Sequence, residues 1–232
     1  MSSKLVETWS GRRGSNPQPT AWKAVTLPLS YSRPVLIHSK ECGRSGQTLY
    51  NGGLPPGSLI LFAGPPCAGK TTLAAALAAR RSIPHLQMDA TRARILPDAA
   101  HTRADRRVAY RAMHFAAELL LQSGAWVILD APYGHPEDRA EVAAVCAATG
   151  APLLLIECRV SPETAVERLR ERGPDTVRLD LTPARAEEMV RGYRYTCAGL
   201  LLDTEALPPE ECLARIEEYL DAGCPAPLEA LR

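Results

Sequence analysis

Aromatic residues are scarce in this chain: Trp, Tyr and Phe make up 5% of its 232 residues, and only two of them are Phe. No platform of rings on which successive bases could stack is evident, which argues mildly against a single-stranded nucleic acid as ligand. An excess of charge of one sign is also lacking. Lys and Arg number 27 against 26 Asp and Glu, a net charge of +1, so nothing overall demands a polyanion or an anionic membrane as partner. No apolar run approaches the roughly 20 residues needed to cross a bilayer. The N-terminal stretch has no charged-then-apolar pattern of a secretory signal. The seven cysteines form no C-x-x-C pair and no cluster with histidine. That excludes a legible zinc or disulfide framework and leads to the expectation of reduced thiols in a cytoplasmic protein.

The chain changes character near Pro56. Before it come Trp9 and Trp22, much Ser, Gly, Pro and Asn, and no sustained period, so residues 1–56 read as a disordered extension. A sharper reading rests on "GSNPQPTAWKAVTLPLSYS", Gly14 to Ser32. It resembles the translated antisense strand of a transfer-RNA gene, with GSNP at the T-arm and LPLSY at the D-arm. On that reading the first ~35 residues are a mis-annotated overrun without selected structure. After Met1 the next methionine is Met88, so a shorter product would start at a non-Met codon such as Val35, Leu49 or Leu54.

From Gly57 apolar runs alternate with amphipathic segments, the pattern of an α/β domain with a parallel sheet and helices on both faces. Five strands are expected, at Ser58–Ala63, Pro84–Met88, Ala125–Asp130, Ala151–Arg159 and Gly199–Thr204. Helices are expected from Lys70 to Arg81, Arg103 to Gln122, Pro136 to Thr149 and Pro208 to Ala222. Ser161-Pro162 and Thr182-Pro183 each read as an N-cap with proline at the first helical position, and Gly173-Pro174 as a helix stop. The domain is placed at 57–223, with 224–232 as a tail.

Between the first strand and the first helix stands "GPPCAGKT", Gly64 to Thr71, which fits G-x-x-x-x-G-K-[ST]. In that arrangement the loop amides and the helix N-terminus surround a phosphate, and the glycines let the backbone turn and approach. Gly64, Pro65, Pro66, Cys67, Ala68, Gly69, Lys70, Thr71 and Thr72 are therefore expected to hold ATP. Lys70 would reach the β- and γ-oxygens and Thr71 would complete Mg²⁺ coordination. Cys67 reads as a small loop residue, with a redox role the minor alternative. Asp130 closes an apolar strand, where a carboxylate contacts Mg²⁺ directly or through water; a loop aspartate at the strand's wet end is the bland alternative.

Three absences narrow the class of P-loop protein. There is no N-K-x-D segment for guanine, no LSGGQ-like segment, and too little chain for the second helical domain of a ring-forming motor ATPase. The stretches "FAGPPCAGKTTLA", "MDATRARIL", "WVILDAPY" and "VSPETAVERLRER" resemble the P-loop kinases related to polynucleotide 5′-kinase, zeta toxin and adenylyl-sulfate kinase. The resemblance spans about Leu59 to Leu220 and implies a P-loop NTPase fold with a five-stranded sheet and a small helical lid. It also implies Asp89 as base on an acceptor hydroxyl, Arg92 as its clamp, and Arg168 and Arg172 as lid residues over the transferring phosphate.

Other readings stand beside these roles. Asp89 also suits the N-cap of the following helix, and Arg92 a solvated helix face. Tyr133, His135 and Arg139, in the turn after Asp130, are candidates for acceptor contacts. Arg103, Arg107 and Arg111 form a stripe that would hold an anionic acceptor or simply pair with local acids. The expected function is a kinase acting on a hydroxyl of a small-molecule or nucleotide-type acceptor, with nucleic acid not favoured. The alternative is an ATP-binding regulatory protein that transfers nothing.

Overall fold

A computed structural model describes residues 57–98, 102–172 and 180–231, all within one compact unit, Thr48–Arg232. The expectations for residues 1–56 and for the Gly173-Pro174 helix stop lie outside the described residues. Strand β1 (Leu59–Ala63) is apolar in every residue, and none is more than 3% exposed. Such a strand has no wet face, so it sits in the middle of a parallel sheet covered on both sides. Beside it run β2 (His85–Gln87), β3 (Val127–Asp130), β4 (Leu153–Arg159) and β5 (Leu200–Asp203), in the order β2-β3-β1-β4-β5 and all parallel. The register pairs Leu61 with Leu129 on one side and with Leu155 on the other.

Alternation along the strands divides the core in two. Leu59, Leu61 and Leu129 pack against α3 (Arg103–Gln122) and α4 (Pro136–Thr149) through Tyr110, Met113, Val142 and Cys146. Ile60, Phe62 and Ile128 pack against α1 (Lys70–Arg81) and α7 (Pro209–Ala222) through Leu73, Leu77, Ile216 and Leu220. Helices α5 (Pro162–Arg172) and α6 (Pro183–Arg191) lie against one another and insert Ala165, Leu169, Ala186 and Val190 into that second core.

Caps set the helix starts. Thr164 N–H donates to Ser161 Oγ at 3.2 Å and Arg185 N–H to Thr182 Oγ1 at 3.3 Å, as the Ser-Pro and Thr-Pro pairs predict. A reciprocal capping box between Thr102 and Asp105 starts α3. The sequence pattern overextends β3: Ala125 N–H bonds Leu120 O at the end of α3, so pairing begins only at Val127. The second strand is also shorter than expected, because Met88 opens α2 (Met88–Ile95). Two of the residues expected as a tail, Ala226 and Leu231, belong to the core. Ala226 N–H donates to Leu153 O at 2.7 Å, and Leu231, in a short 3₁₀ turn at Leu228–Leu231, is buried against the α4 side. No helix among the described residues is long and apolar enough to cross a membrane.

Candidate active site

The loop from Gly64 to Thr71 leaves the carboxyl end of β1 and enters α1. Gly64 has φ +141°, and a Cβ there would lie 2.4 Å from Cys158 O on β4. Only glycine lets the loop start this close to the sheet. Gly69, at φ +79°, turns the chain into α1 as its N-cap. The helix has no side-chain cap and no acidic residue in its first turn. Its leading amides therefore face the loop without a carboxylate of their own, an arrangement suited to an external oxyanion.

Lys70 is buried inside this loop and donates to Pro65 O at 2.6 Å. Burial holds its pKa below the ordinary lysine value, and the charges of Asp130 and Asp89 partly oppose that shift. The three groups meet around a cavity of about 230 Å³, lined also by Thr71, Thr72 and Arg172. Asp130 is 2% exposed, and its Oδ2 has no hydrogen-bond partner among the described residues; His85 Nε2 stands 3.4 Å from it. Thr71 Oγ1 accepts from Gln87 Nε2 at 3.3 Å. A buried carboxylate oxygen beside a threonine hydroxyl is a hard oxygen donor pair, suited to a divalent cation such as Mg²⁺ whose other ligands are phosphate and water. Asp89 is not the cap of α2. Gln87 holds that position, and Asp89 is the second helical residue, in the cavity wall.

Several expected roles require correction. Arg168 does not reach the phosphate cavity. Its guanidinium donates to Cys67 O at 3.2 Å, to Thr204 Oγ1 at 3.1 Å and to Thr204 O at 2.6 Å, because the loop and the end of β5 offer acceptors one helical turn short of the cavity. Arg172, on the next turn, does line it. Arg92 is 3% exposed: it shares the inward face of α2 with Met88 and lines neither the phosphate cavity nor the cavity beyond it. Tyr133 is wholly buried at φ +48°, its hydroxyl 3.1 Å from His114 Nε2 and its ring 5.2 Å from that of Tyr110. It braces the turn from beneath rather than touching an acceptor. Arg139 donates at 3.4 Å to Gly134 O, within its own turn, and lines neither cavity. The arginine stripe serves α3–α4 packing: Arg103 makes a bidentate pair with buried Asp138 at 2.7 and 2.9 Å, and Arg107 stands 3.6 Å from Glu141.

Two further cavities open beside the phosphate loop. One of about 430 Å³ lies between Thr72, Arg168, Thr204, Leu207 and Cys212. The other, of about 360 Å³, shares Pro66, Met88 and Pro132 with the phosphate cavity and is walled by Arg106, Tyr110, His135, Arg185 and Tyr193. Tyr193 OH donates to Pro132 O at 2.7 Å and so fixes the turn after β3. Of the residues expected in the turn, only His135 faces this space. His85, Thr204, Arg185 and Tyr193 escaped the sequence reading. The one available signal was Arg185, a basic residue in a helix's first turn.

A family model described as an AAA domain matches residues 59–195. No curated protein matches the sequence. Among solved structures, a candidate kinase of Chloroflexus aurantiacus is 23% identical with a TM-score of 0.60, covering 74% of this chain and 100% of that one. The APS kinase of Mycobacterium tuberculosis, in complex with AMPPNP and APS, is 22% identical with a TM-score of 0.57, covering 72% and 99%. A gluconokinase of Sinorhizobium meliloti is 18% identical with a TM-score of 0.55, covering 72% and 93%. These likenesses show a shared P-loop fold.

Proposed function

The chain belongs to the AAA-domain family, whose model matches residues 59–195, and on that premise we propose that it is an ATP-dependent phosphotransferase acting on a hydroxyl. The observation that carries the reading is one cavity joining buried Lys70 and the loop amides to two carboxylates, Asp89 and Asp130. The family likeness to structures described as kinases supports it.

ATP supplies the γ-phosphoryl group; Thr71 and Asp130 would hold a Mg²⁺ ion, which would supply neutralisation of phosphate charge. The amides of Cys67, Ala68 and Gly69 and the α1 N-terminus bind the phosphates, with Gly64, Pro65, Pro66 and Thr72 shaping the cradle. Lys70, already dehydrated, meets the transferring oxygens without first shedding water. Arg172 carries the charge that develops on the far side of the cavity. The acceptor oxygen bonds to the γ-phosphorus as the bridge to the β-phosphate breaks, and ADP leaves. The acceptor's proton passes to Asp89 and from there to water. Arg168 acts at one remove, bracing the loop against Thr204 beside the cavity that suits the nucleoside. The working domain spans residues 57–223 together with the C-terminal turn at Leu228–Leu231.

The deciding experiment measures γ-labelled phosphate transfer to a metabolite panel alongside ATP binding. Lys70→Ala is expected to abolish ATP binding. Asp89→Asn is expected to keep it and to lower kcat by about 10²- to 10⁴-fold, the range for loss of a general base. If Asp89→Asn turns over at the wild-type rate, the assignment of Asp89 as base fails; if the wild type binds ATP but transfers phosphate to no acceptor, the non-transferring ATP-binding protein becomes the better reading.

A further inference from the structure

The cavity walled by Arg106, Arg185 and Tyr193 carries an arrangement that helix physics alone disfavours. The first turn of a helix presents unpaired amides and a positive dipole end, so acidic residues belong there and arginines do not. Around this one cavity, arginines stand in the first turns of two helices, although α3 also carries Asp105 there in its capping box. Arg103 and Arg106 occupy the first and fourth positions of α3, and Arg185 the third position of α6, whose first turn has no acidic residue. Two of the three are compensated within the protein. Arg103 is locked on buried Asp138, and Arg106 contacts Asp180. Arg185 has no ion pair among the described residues, and it is exposed toward the cavity. Its N–H serves the Thr182 cap, while its guanidinium adds charge where the helix already has the same sign. Local rules broken together at one place are the mark of a site shaped by what binds there.

The remaining wall mixes polar and apolar groups: Glu188, on the same helix as Arg185, and His135 also line it. Met88 and Met189 offer pliant apolar contacts, and the Tyr193 ring stands over Gly134, the nearest ring carbon 3.7 Å from where a Cβ would be. The Tyr193 hydroxyl is committed to Pro132 O, and Tyr110 OH accepts from Tyr133 N–H at 3.3 Å. Both tyrosines thus present ring surface rather than hydroxyl. The cavity meets the phosphate cavity at Pro66, Pro132 and Met88, the last of which precedes Asp89 in the chain.

We propose that this cavity binds the acceptor as a small hydroxylated anion, its phosphate or carboxylate on Arg185 and Arg106 and its hydroxyl directed toward Asp89. The proposal rests on the phosphotransferase reading and narrows it: neutral sugars and neutral nucleosides are poor acceptors. Arg185 discriminates by charge, and Arg106 shares its guanidinium between Asp180 and the ligand. A phosphate and a carboxylate present the same oxygen pair to an arginine, so the chemistry is common to both and experiment separates them.

The test uses matched pairs that differ by one acidic group: adenosine against adenosine 3′-monophosphate, and glucose against gluconate and glucose 6-phosphate. Binding to the AMPPNP-loaded protein is measured by calorimetry, and transfer from γ-labelled ATP is measured separately. At least one anion is expected to bind tenfold or more tightly than its neutral partner. Glucose 6-phosphate and gluconate distinguish the phosphate from the carboxylate source. Arg185→Gln, at an exposed site where the fold is not at risk, should shrink that preference about tenfold, as loss of one charge-assisted hydrogen bond requires. Arg106→Gln should shrink it further. A preference that survives both substitutions, equal or tighter binding of the neutral members, or no anion binding at millimolar concentration overturns the proposal. Failure of the wild-type protein to bind AMPPNP at all strikes the phosphotransferase reading instead, so the two failures are distinguishable.

Discussion

At the scale of single residues, the loop shows how one side-chain atom decides a site. Gly64 combines a backbone conformation that L-residues avoid with a Cβ position 2.4 Å from the Cys158 carbonyl. Gly150 at the end of α4 also has positive φ, +69°, but nothing lies within 4 Å of its Cβ position. Gly150→Ala therefore carries the conformational cost alone, about 1 kcal/mol. Gly64→Ala adds a backbone collision and should cost about 1–3 kcal/mol more, with weakened ATP binding, when both variants are compared by urea unfolding and nucleotide titration. The same scale explains what the sequence could and could not tell. The positions of Gly64, Lys70 and Thr71 were legible because covalent spacing along one turn fixes them, and that of Asp130 because it closes an apolar strand. Arg92, Tyr133 and Arg168 were not, since each depends on which acceptor or cavity a long side chain meets after the helices dock. Arg168 and Arg172 differ by one turn of α5, and only one reaches the phosphate cavity.

At the scale of elements, the turn after β3 is held by α3 as well as by Tyr193 and Arg139. Tyr110 OH takes the Tyr133 amide, and His114 stands between Tyr133 OH and Glu141 Oε2, 3.1 Å from each. A neutral imidazole with its proton on Nδ1 donates to Glu141 and accepts from the tyrosine, so both contacts are satisfied without charge. Burial lowers the His114 pKa below the ordinary 6.5, and the Glu141 hydrogen bond only partly opposes this. The unfolded chain then takes up this proton before the folded one does. The histidine's contribution is thus intact above about pH 6.5 and declines as pH falls from there toward the lowered value. His114→Gln should flatten that part of the pH–stability curve, measured by urea unfolding at pH 7.5, 6.5 and 5.5. An unchanged slope would mean that another group governs it. Helix starts were the most legible elements, because Ser161, Thr182 and their prolines announce themselves. Strand starts were less so: the apolar pattern of "AWVILD" begins two residues before the strand does, because the α3 C-terminus captures the Ala125 amide.

At the scale of the whole molecule, fold class followed from alternation, but the arrangement of strands did not. Placing β3 between β1 and β2 brings Asp130 beside the phosphate loop, through the pairing of Phe62 with Asp130, and Gln87 beside it on the other side. The cavity is thus assembled at the carboxyl ends of three neighbouring strands, and its contents are what the core tolerates least. Lys70 lies buried among them, its pKa lowered chiefly by lost hydration. A charged group buried in this way costs stability until a ligand of opposite charge meets it. Lys70→Met fills a similar volume without the charge, so the ATP-free variant should unfold at a higher urea concentration than wild type. Wild type should gain about 2.7 kcal/mol when ATP is raised to a hundred times its Kd, and the variant should gain nothing measurable. The opposite signs of the two effects separate a lysine held for its ligand from one that merely packs. A variant that is destabilised without ATP would show that the Lys70 bond to Pro65 O, 2.6 Å long, outweighs the burial of its charge.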